Sequence, residues 1–410
     1  MEQDVAKNPG LLKLDLYCRG IRVDESCRLA DDSRGFLRTR AGLGSGLELI
    51  LPPGLYTNVP VLEKWVEGTP YSIHREGGDY VVRHDGRFIT TVRLPRRPAF
   101  YDARTSSGRL MSSIGVMQGT YLGVYPTRIC HHWEHRPLEC CKFCSVGLNL
   151  GDGESREKSV QDVVEVAIAA RREERITYVH FNTGYYEGDT CLDELEPYIV
   201  AVKKATGVLI GVQTPPHPDF SRYNRLRKLG VNQVSFCFEL FDEEKFREVC
   251  PGKATHCTLK RYLDAIEYCA KIFDTTNGEI VAGLEPPEKS IEAIDWMTSV
   301  GAVPTVCVFR PLIGTEYENV PSPKTEEMVP IFRRTYEACM EHNLPLGIAP
   351  NIRVSLVLLP DEGRYFLDDW NRYRWKELRL MPMRGLFRAA FWTKLALKSL
   401  GLRKWTKRQP

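Results

Sequence analysis

Several absences narrow the class of this 410-residue chain before any motif is considered. No stretch approaches about eighteen uninterrupted apolar residues, so no helix is expected to span a membrane. Neither sign of charge dominates: 56 Lys and Arg stand against 53 Asp and Glu, which makes no global case for nucleic acid as a partner. The opening residues, Met1 to Leu16, lack the basic-then-apolar order of a secretory leader. The thirteen cysteines do not form a compact framework of the kind that staples secreted domains. Most are scattered through apolar segments, which suits a reducing cytoplasm. Hydrophobic content of 43% and charged content of 27% are ordinary for a globular protein, and the length allows one large domain with additions or two domains.

One more absence concerns the cysteines that are grouped. Cys130, Cys140, Cys141 and Cys144 lie within fifteen residues, and Cys141-Lys142-Phe143-Cys144 is a close pair with no second close pair downstream. A structural zinc knuckle ordinarily uses two such pairs, or one pair with spaced histidines. Thiolates are soft ligands that select zinc or iron–sulfur clusters. Three thiolates complete a [4Fe–4S] cluster only if one iron stays open to a ligand from outside the chain. His131, His132 and His135 share the loop, so a zinc knuckle is the rival reading, with tuning of a cluster, substrate binding or simple exposure as the other uses of the histidines.

Along the chain, residues 1–110 read as a β-rich unit, with LELILPP and DYVVRHDGRFITTVRL as strands and Asp85-Gly86 as a hairpin turn. From about Gly119 strands and helices alternate: YLGVYPTRI, ITYVHFNTG, VLIGVQTPP, QVSFCFEL, GEIVAGLEP and AVPTVCVFRP are separated by helical patterns. Six strands in that rhythm predict a parallel sheet with right-handed crossovers over residues 111–345. Residues 346–410 form a C-terminal extension. From Arg384 to Arg408 it holds eight basic residues and no acidic one, interleaved with Leu386, Phe387, Phe391, Trp392 and Leu395. Such a helical tail either lies on an anionic membrane surface or docks its apolar stripe on the protein.

The loop from Cys130 to Cys144 resembles that of the radical S-adenosylmethionine (SAM) enzymes, whose last pair commonly reads Cys-x-aromatic-Cys. The commonest first spacing there is three residues; here ten separate Cys130 from Cys141, or nine if Cys140 serves instead. The resemblance covers residues 115–345. It implies a partial (β/α)6 TIM-like barrel with chemistry at the carboxyl ends of its strands. It further implies a [4Fe–4S] cluster on Cys130, Cys141 and Cys144, with SAM on the open iron.

Cofactor-binding residues follow from the same resemblance. Phe143 lies inside the motif, and Asn182-Thr183-Gly184 after the second strand would meet the methionyl amino group through backbone. Glu239, ending the fourth strand, would take the ribose hydroxyls or the amino group, and Arg247 the SAM carboxylate. Ile280 and Gly283, in Gly278-Glu-Ile-Val-Ala-Gly283-Leu-Glu285, would support adenine, although the second glycine stands one place later than is usual. Glu285 is expected to hold the strand end, Lys253 to be solvated, and Arg310 to offer a basic group at the rim. The run through Pro251-Gly252-Lys253 and Arg310-Pro311 looks closest to the biotin-synthase-like branch, and to uncharacterised radical SAM proteins encoded beside nitrilase-like enzymes.

What the resemblance implies is an oxygen-sensitive cytoplasmic enzyme that cleaves SAM reductively and abstracts a hydrogen from a small-molecule or lipid-like substrate. A flavodoxin- or ferredoxin-like protein would supply the electron. Two other readings stand beside it: transfer of an aminocarboxypropyl group from SAM, and a zinc-stabilised binding protein with a membrane-surface tail along 384–408.

Overall fold

The computed structural model describes residues 5–27, 37–38, 45–151 and 153–406, with backbone alone for 37–38, 45 and 397–406. The N-terminal unit opens with a helix, α1 (Pro9–Arg19), where strands were expected. Asn8 caps it by accepting from the backbone N–H of Gly10 and Leu11, Pro9 occupies the first turn, and Gly20 at φ +66° ends it. The remainder is β-rich. Strands β1 (Arg22–Val23), β5 (Tyr71–Glu76), β6 (Asp79–His84) and β7 (Arg87–Val92) form one sheet; β2 (Leu37–Arg38), β3 (Ser45–Leu51) and β4 (Leu55–Val59) form another. Asp85 and Gly86 both take positive φ between β6 and β7, the tight hairpin that their sequence asks for.

The second body is a curled seven-stranded sheet of β8 (Val116–Gln118), β9 (Tyr121–Val124), β10 (Tyr178–Asn182), β11 (Leu209–Gln213), β12 (Gln233–Glu239), β13 (Thr275–Ala282) and β14 (Val303–Val308). The strands lie in chain order; β9 to β14 are parallel, and β8 is an antiparallel addition at one edge. The fold is a partial TIM-like barrel. After β9 comes the short α2 (His131–Glu134), and then α3 (Val160–Glu174), α4 (Cys191–Thr206) and α5 (Ser221–Leu229) separate the strands up to β12. Three helices, α6 (Glu243–Val249), α7 (Pro251–His256) and α8 (Leu259–Ala270), connect β12 to β13, while α9 (Pro287–Ser299) and α10 (Thr325–Glu341) complete the outer layer. Ser159 and Asp162 cap α3 reciprocally, which fixes where the chain re-enters a helix after the cysteine loop.

The two faces of the sheet differ in chemistry. Val179, Phe181, Val234, Phe236, Ile280 and Val306 are buried in one continuous core with Val166, Leu195 and Ile266 of the helices. Residues of the opposite parity are polar and bond to one another: Tyr178 to His180 and Gln233, Gln233 to Asn277, and Asn277 to Thr305. A strand covered by helices on both faces would be apolar throughout. This alternation marks the second face as the wall of a polar lumen.

Residues 351–358 run between the two edges of the open barrel. Asn351 and Arg353 carbonyls accept from Thr120 beside β9, and Leu358 bridges to Val306 in β14. The N-terminal unit joins at the same side. Asn58 N–H donates to Ser355, Tyr17 hydroxyl donates to the same carbonyl, and the buried Lys13 pairs with Glu362 at 2.8 Å. The tail forms α11 (Arg374–Thr406). Phe391 and Leu395 are buried, and Arg384 donates to the Leu346 carbonyl, so part of this helix docks on the protein. Leu386 is 73% exposed, and Trp375, Phe387 and Trp392 are exposed with it. The side chains of residues 397–406, and residues 407–410 entirely, lie outside the described residues. Among those described, no helix is long and apolar enough to cross a membrane.

Candidate active site

The cysteine loop lies across the carboxyl ends of the strands, tied down at three points. His131 N–H donates to the Tyr185 carbonyl in the turn after β10. Lys142 N–H donates to Val249, and Gly252 N–H to Glu139, which joins the loop to the connection after β12. Tyr317 N–H donates to Lys142 O beyond β14. Segments distant in sequence thus meet at the loop, as the barrel topology requires. Cys144 N–H donates to Cys141 O at 2.9 Å, so the last pair forms a tight turn that brings both side chains to one locality.

The thiols interact with one another. Burial, with Cys144 and Cys141 nearby, pushes Cys130 up to about 11. A hydrogen bond with Cys140, reinforced by burial, holds Cys144 well above the usual thiol range. Cys250, from the turn between α6 and α7, is raised by burial and by the thiol of Cys141. Crowded thiols keep their protons unless a cation binds the thiolates and releases those protons to solvent, so this donor set is suited to iron or zinc. The second turn leaves room only for glycine: a Cβ on Gly184 would stand 2.4 Å from Cys130 Cβ and 2.6 Å from Tyr125 Oη. Next to Cys144, the buried Ser145 Oγ has no hydrogen-bond partner, and neither does Asn182 Oδ1 at the end of β10. Soft donors, a close glycine approach and an orphaned hydroxyl beside Cys144 fit an iron–sulfur cluster with a polar ligand alongside.

The other sequence-predicted residues divide. Phe143 packs against the core beside Cys144, Gly184 lies against Cys130, and Asn182 ends β10 with its side chain buried. Thr183 is engaged with Thr127 and the Tyr186 hydroxyl. Glu239 ends β12 in a left-handed conformation, φ +68°, which is uncommon for a non-glycine residue. Its carboxylate meets Lys253 Nζ at 2.5 Å, and Lys253 also donates to the Cys237 carbonyl at 2.7 Å. The expectation that Lys253 is solvated is therefore corrected. Burial opposes its charge, but Glu239 and the nearby thiols hold the ammonium well above its usual range.

Four further placements differ from expectation, and Glu285 keeps its expected role. Arg247 is exposed and pairs with Glu243 one helical turn away, so the structure does not bring it to the cysteines; α6 is amphipathic and turns Phe246 and Val249 inward instead. Ile280 has the parity of Gly278, whose missing Cβ would meet Met297 of α9, and it is buried in the sheet–helix core away from the lumen. Gly283 is needed for its φ of +102°, and the space beside it is filled by Pro323. Arg310 is buried at the sixth strand end, bonded to Asn58 Oδ1 and O, so it secures the N-terminal unit to the rim. Glu285 holds the fourth strand end, accepting from Phe241 and Asp242 N–H at 2.9 Å each.

The lumen supplies residues that motif reading missed. Glu279 accepts from Ser235, Cys237 and Gln213, and burial pushes its carboxyl up. His180 donates to or accepts from the Tyr178 hydroxyl at 2.6 Å and is pushed by burial down to about 4. Cys307 lies close enough to Glu279 to be raised by it after burial. The signal was present as period-two polarity, in Tyr178-x-His180-x-Asn182 and Gln233-x-Ser235-x-Cys237-x-Glu239.

Comparison with known proteins gives the class. Residues 124–298 match the family model of the radical SAM superfamily. Residues 124–298 thus carry a radical SAM domain, a family whose members use a [4Fe–4S] cluster and SAM. Among curated proteins it is similar to a bacteriochlorophyllide c C-7(1)-hydroxylase from Chlorobaculum limnaeum, 28% identical over 178 residues, which are 43% of this chain and 38% of that protein. The chain therefore spans well under half of the relative it matches. Among solved structures it is similar to methylornithine synthase, with TM-score 0.43 and 16% identity over 66% of this chain and 85% of that one. It is likewise similar to a radical SAM methyltransferase from Sphaerobacter thermophilus, with TM-score 0.40 and 15% identity over 70% of this chain and 81% of that one.

Proposed function

We propose that the chain generates a 5′-deoxyadenosyl radical and uses it to abstract hydrogen from a small polar molecule held in the barrel lumen. The observation that carries this reading is the convergence of Cys130, Cys141 and Cys144 over the strand ends, with Gly184 against Cys130. These three thiolates would hold three irons, which leaves the fourth to SAM. When bound, the cluster and SAM together supply a carbon radical by reductive cleavage of the sulfonium, the electron coming from a flavodoxin- or ferredoxin-like protein.

The chain's own residues then bind and orient. The orphaned Asn182 Oδ1 and the backbone at Thr183 and Gly184 would meet the methionyl end of SAM. Glu239 would take its amino group or ribose hydroxyls, and Lys253, already beside Glu239, its carboxylate. His180, Gln213 and Glu279 offer hydrogen bonds deeper in the lumen, which favours a substrate with polar groups over a lipid-like one. Burial and the covering loop keep water from that volume, and position is most of what such a site contributes. The activity named for the relative, hydroxylation at a carbon, likewise alters a C–H bond.

The deciding assay is anaerobic incubation of iron-reconstituted protein with SAM and dithionite, followed by identification of the nucleoside. Equal amounts of 5′-deoxyadenosine and methionine are expected. Methylthioadenosine would instead indicate aminocarboxypropyl transfer. Zinc-loaded protein that leaves SAM intact would end the enzymatic reading.

A further inference from the structure

We propose that His132, Glu139 and His256 form a second metal site, separate from the cysteines, for a divalent transition-metal ion of the zinc class. The ten residues that lengthen the Cys130–Cys141 spacing supply two of these ligands, and α7 supplies the third. Their donor atoms converge on one carboxylate oxygen. His132 Nδ1 stands 3.1 Å from Glu139 Oε2, His256 Nε2 stands 3.3 Å from it, and His131 Nε2 stands 4.0 Å away. All three donors of the principal set lie within 4.8 Å of one another. Four ligands placed tetrahedrally about zinc at roughly 2.0–2.1 Å are separated from each other by roughly 3.3 Å. The distances of His132 and His256 from Glu139 are those of such an edge.

The surroundings are those of a built site. His132 is 2% exposed, and His256 Nε2, the atom that faces Glu139, is buried without a hydrogen bond. The rings are held by stacking: His132 lies 4.6 Å from Tyr185 at an interplanar angle of 6°, and Tyr185 lies 5.1 Å from His256. Gly252 permits the approach of α7, since a Cβ there would be 2.5 Å from both His132 Nδ1 and the Glu139 carbonyl oxygen. Two imidazoles and a carboxylate suit zinc, cobalt, iron(II) or manganese, with water completing the coordination. An ion there ties the insertion, which leads directly into Cys140 and Cys141, to the helix that carries Lys253. Its role is to position those residues; it takes no part in SAM cleavage.

The test uses full-length, iron-loaded protein exposed anaerobically to zinc chloride, desalted, and examined by elemental analysis and zinc X-ray absorption. The expected result is one zinc per chain beside the iron, with a nitrogen and oxygen shell at about 2.0–2.1 Å and no sulfur. Glu139→Gln and His256→Gln should weaken zinc binding tenfold or more while the iron content holds. Cys130→Ser should lose iron and keep zinc, so failure of the cluster reading leaves this result intact. A sulfur shell in the wild type, zinc lost with Cys130→Ser, full zinc in both ligand variants, or no zinc after desalting would each overturn the proposal. The wild-type absorption spectrum decides even if a variant fails to fold.

Discussion

Gly184→Ala tests whether the turn after β10 is shaped to admit a metal cluster. The added Cβ would stand 2.4 Å from Cys130 Cβ, a full ångström inside the 3.4 Å at which ordinary contact begins. Neither side can yield freely. The turn is fixed by His131 N–H donating to Tyr185 O at 2.8 Å, and Tyr186 hydroxyl donates to Arg128 O at 2.6 Å on the other side of Cys130. Overpacking of this kind costs about 1–3 kcal/mol, which a chain of this size survives. Ligand positions at a metal tolerate only about 0.2 Å. The expected result is folded protein that loses most of its iron on anaerobic reconstitution, from about four atoms per chain to below about one. Gly68→Ala is the control, since nothing lies within 4 Å of its Cβ. Iron and sulfide counts with circular dichroism read both effects. Full iron in Gly184→Ala would refute the reasoning that this glycine exists for the cluster.

Three other outcomes are expected. Lys253→Met strands a mostly buried Glu239, so denaturant unfolding should show a loss of roughly 3–5 kcal/mol. Adding Glu239→Gln should restore part of that stability but not SAM cleavage; recovery of cleavage would remove both residues from the cofactor site. His180, pushed down to about 4 by burial against about 6.5 unfolded, binds its proton more weakly when folded. Its contribution is intact above pH 6.5 and lost as the pH falls toward 4, about 2 kcal/mol between pH 7 and pH 5. His180→Gln should flatten that part of the pH–stability curve, and an unchanged slope would contradict the assignment. The exposed Leu386, Phe387 and Trp392 with the basic residues of α11 should hold the protein on anionic vesicles at low salt and release it as salt is added; no binding at low salt would sink the membrane reading.

The barrel was legible because its strands alternate with helices at regular intervals, and the β9 to β14 segments were all visible as short β-branched runs between helical patterns. α1 was not, because its charged Lys13 and Asp15 disguise a helix that is buried on nearly every side through ion pairing with Glu362 and bonding to Tyr71. Cys130, Cys141, Cys144 and Gly184 could be read from a local motif. Arg247 could not be placed, because one helical turn decides whether an arginine faces solvent or ligand, and Phe246 and Val249 claimed the inner face. Ile280 was misplaced by one step of strand parity, the error that sends a side chain to the opposite face. Glu279 and the Lys253–Glu239 pair depend on contacts between neighbouring strands and helices, which no single segment reveals. The histidines of the insertion were visible, but Glu139 and His256 as their companions were not, since their meeting requires α7 to fold back over the loop.

The central claim is that three protein thiolates leave one iron open for SAM, and Cys140, whose thiol lies near Cys144, is a residue able to close that corner instead. Electron paramagnetic resonance of the dithionite-reduced protein, recorded with and without SAM, tests it directly. The account expects the signal of a reduced four-iron cluster whose g values shift when SAM is added, in wild type and in Cys140→Ala alike. A signal that SAM does not move would show a cluster closed by four protein ligands, and its absence from iron-loaded protein would contradict the cluster itself.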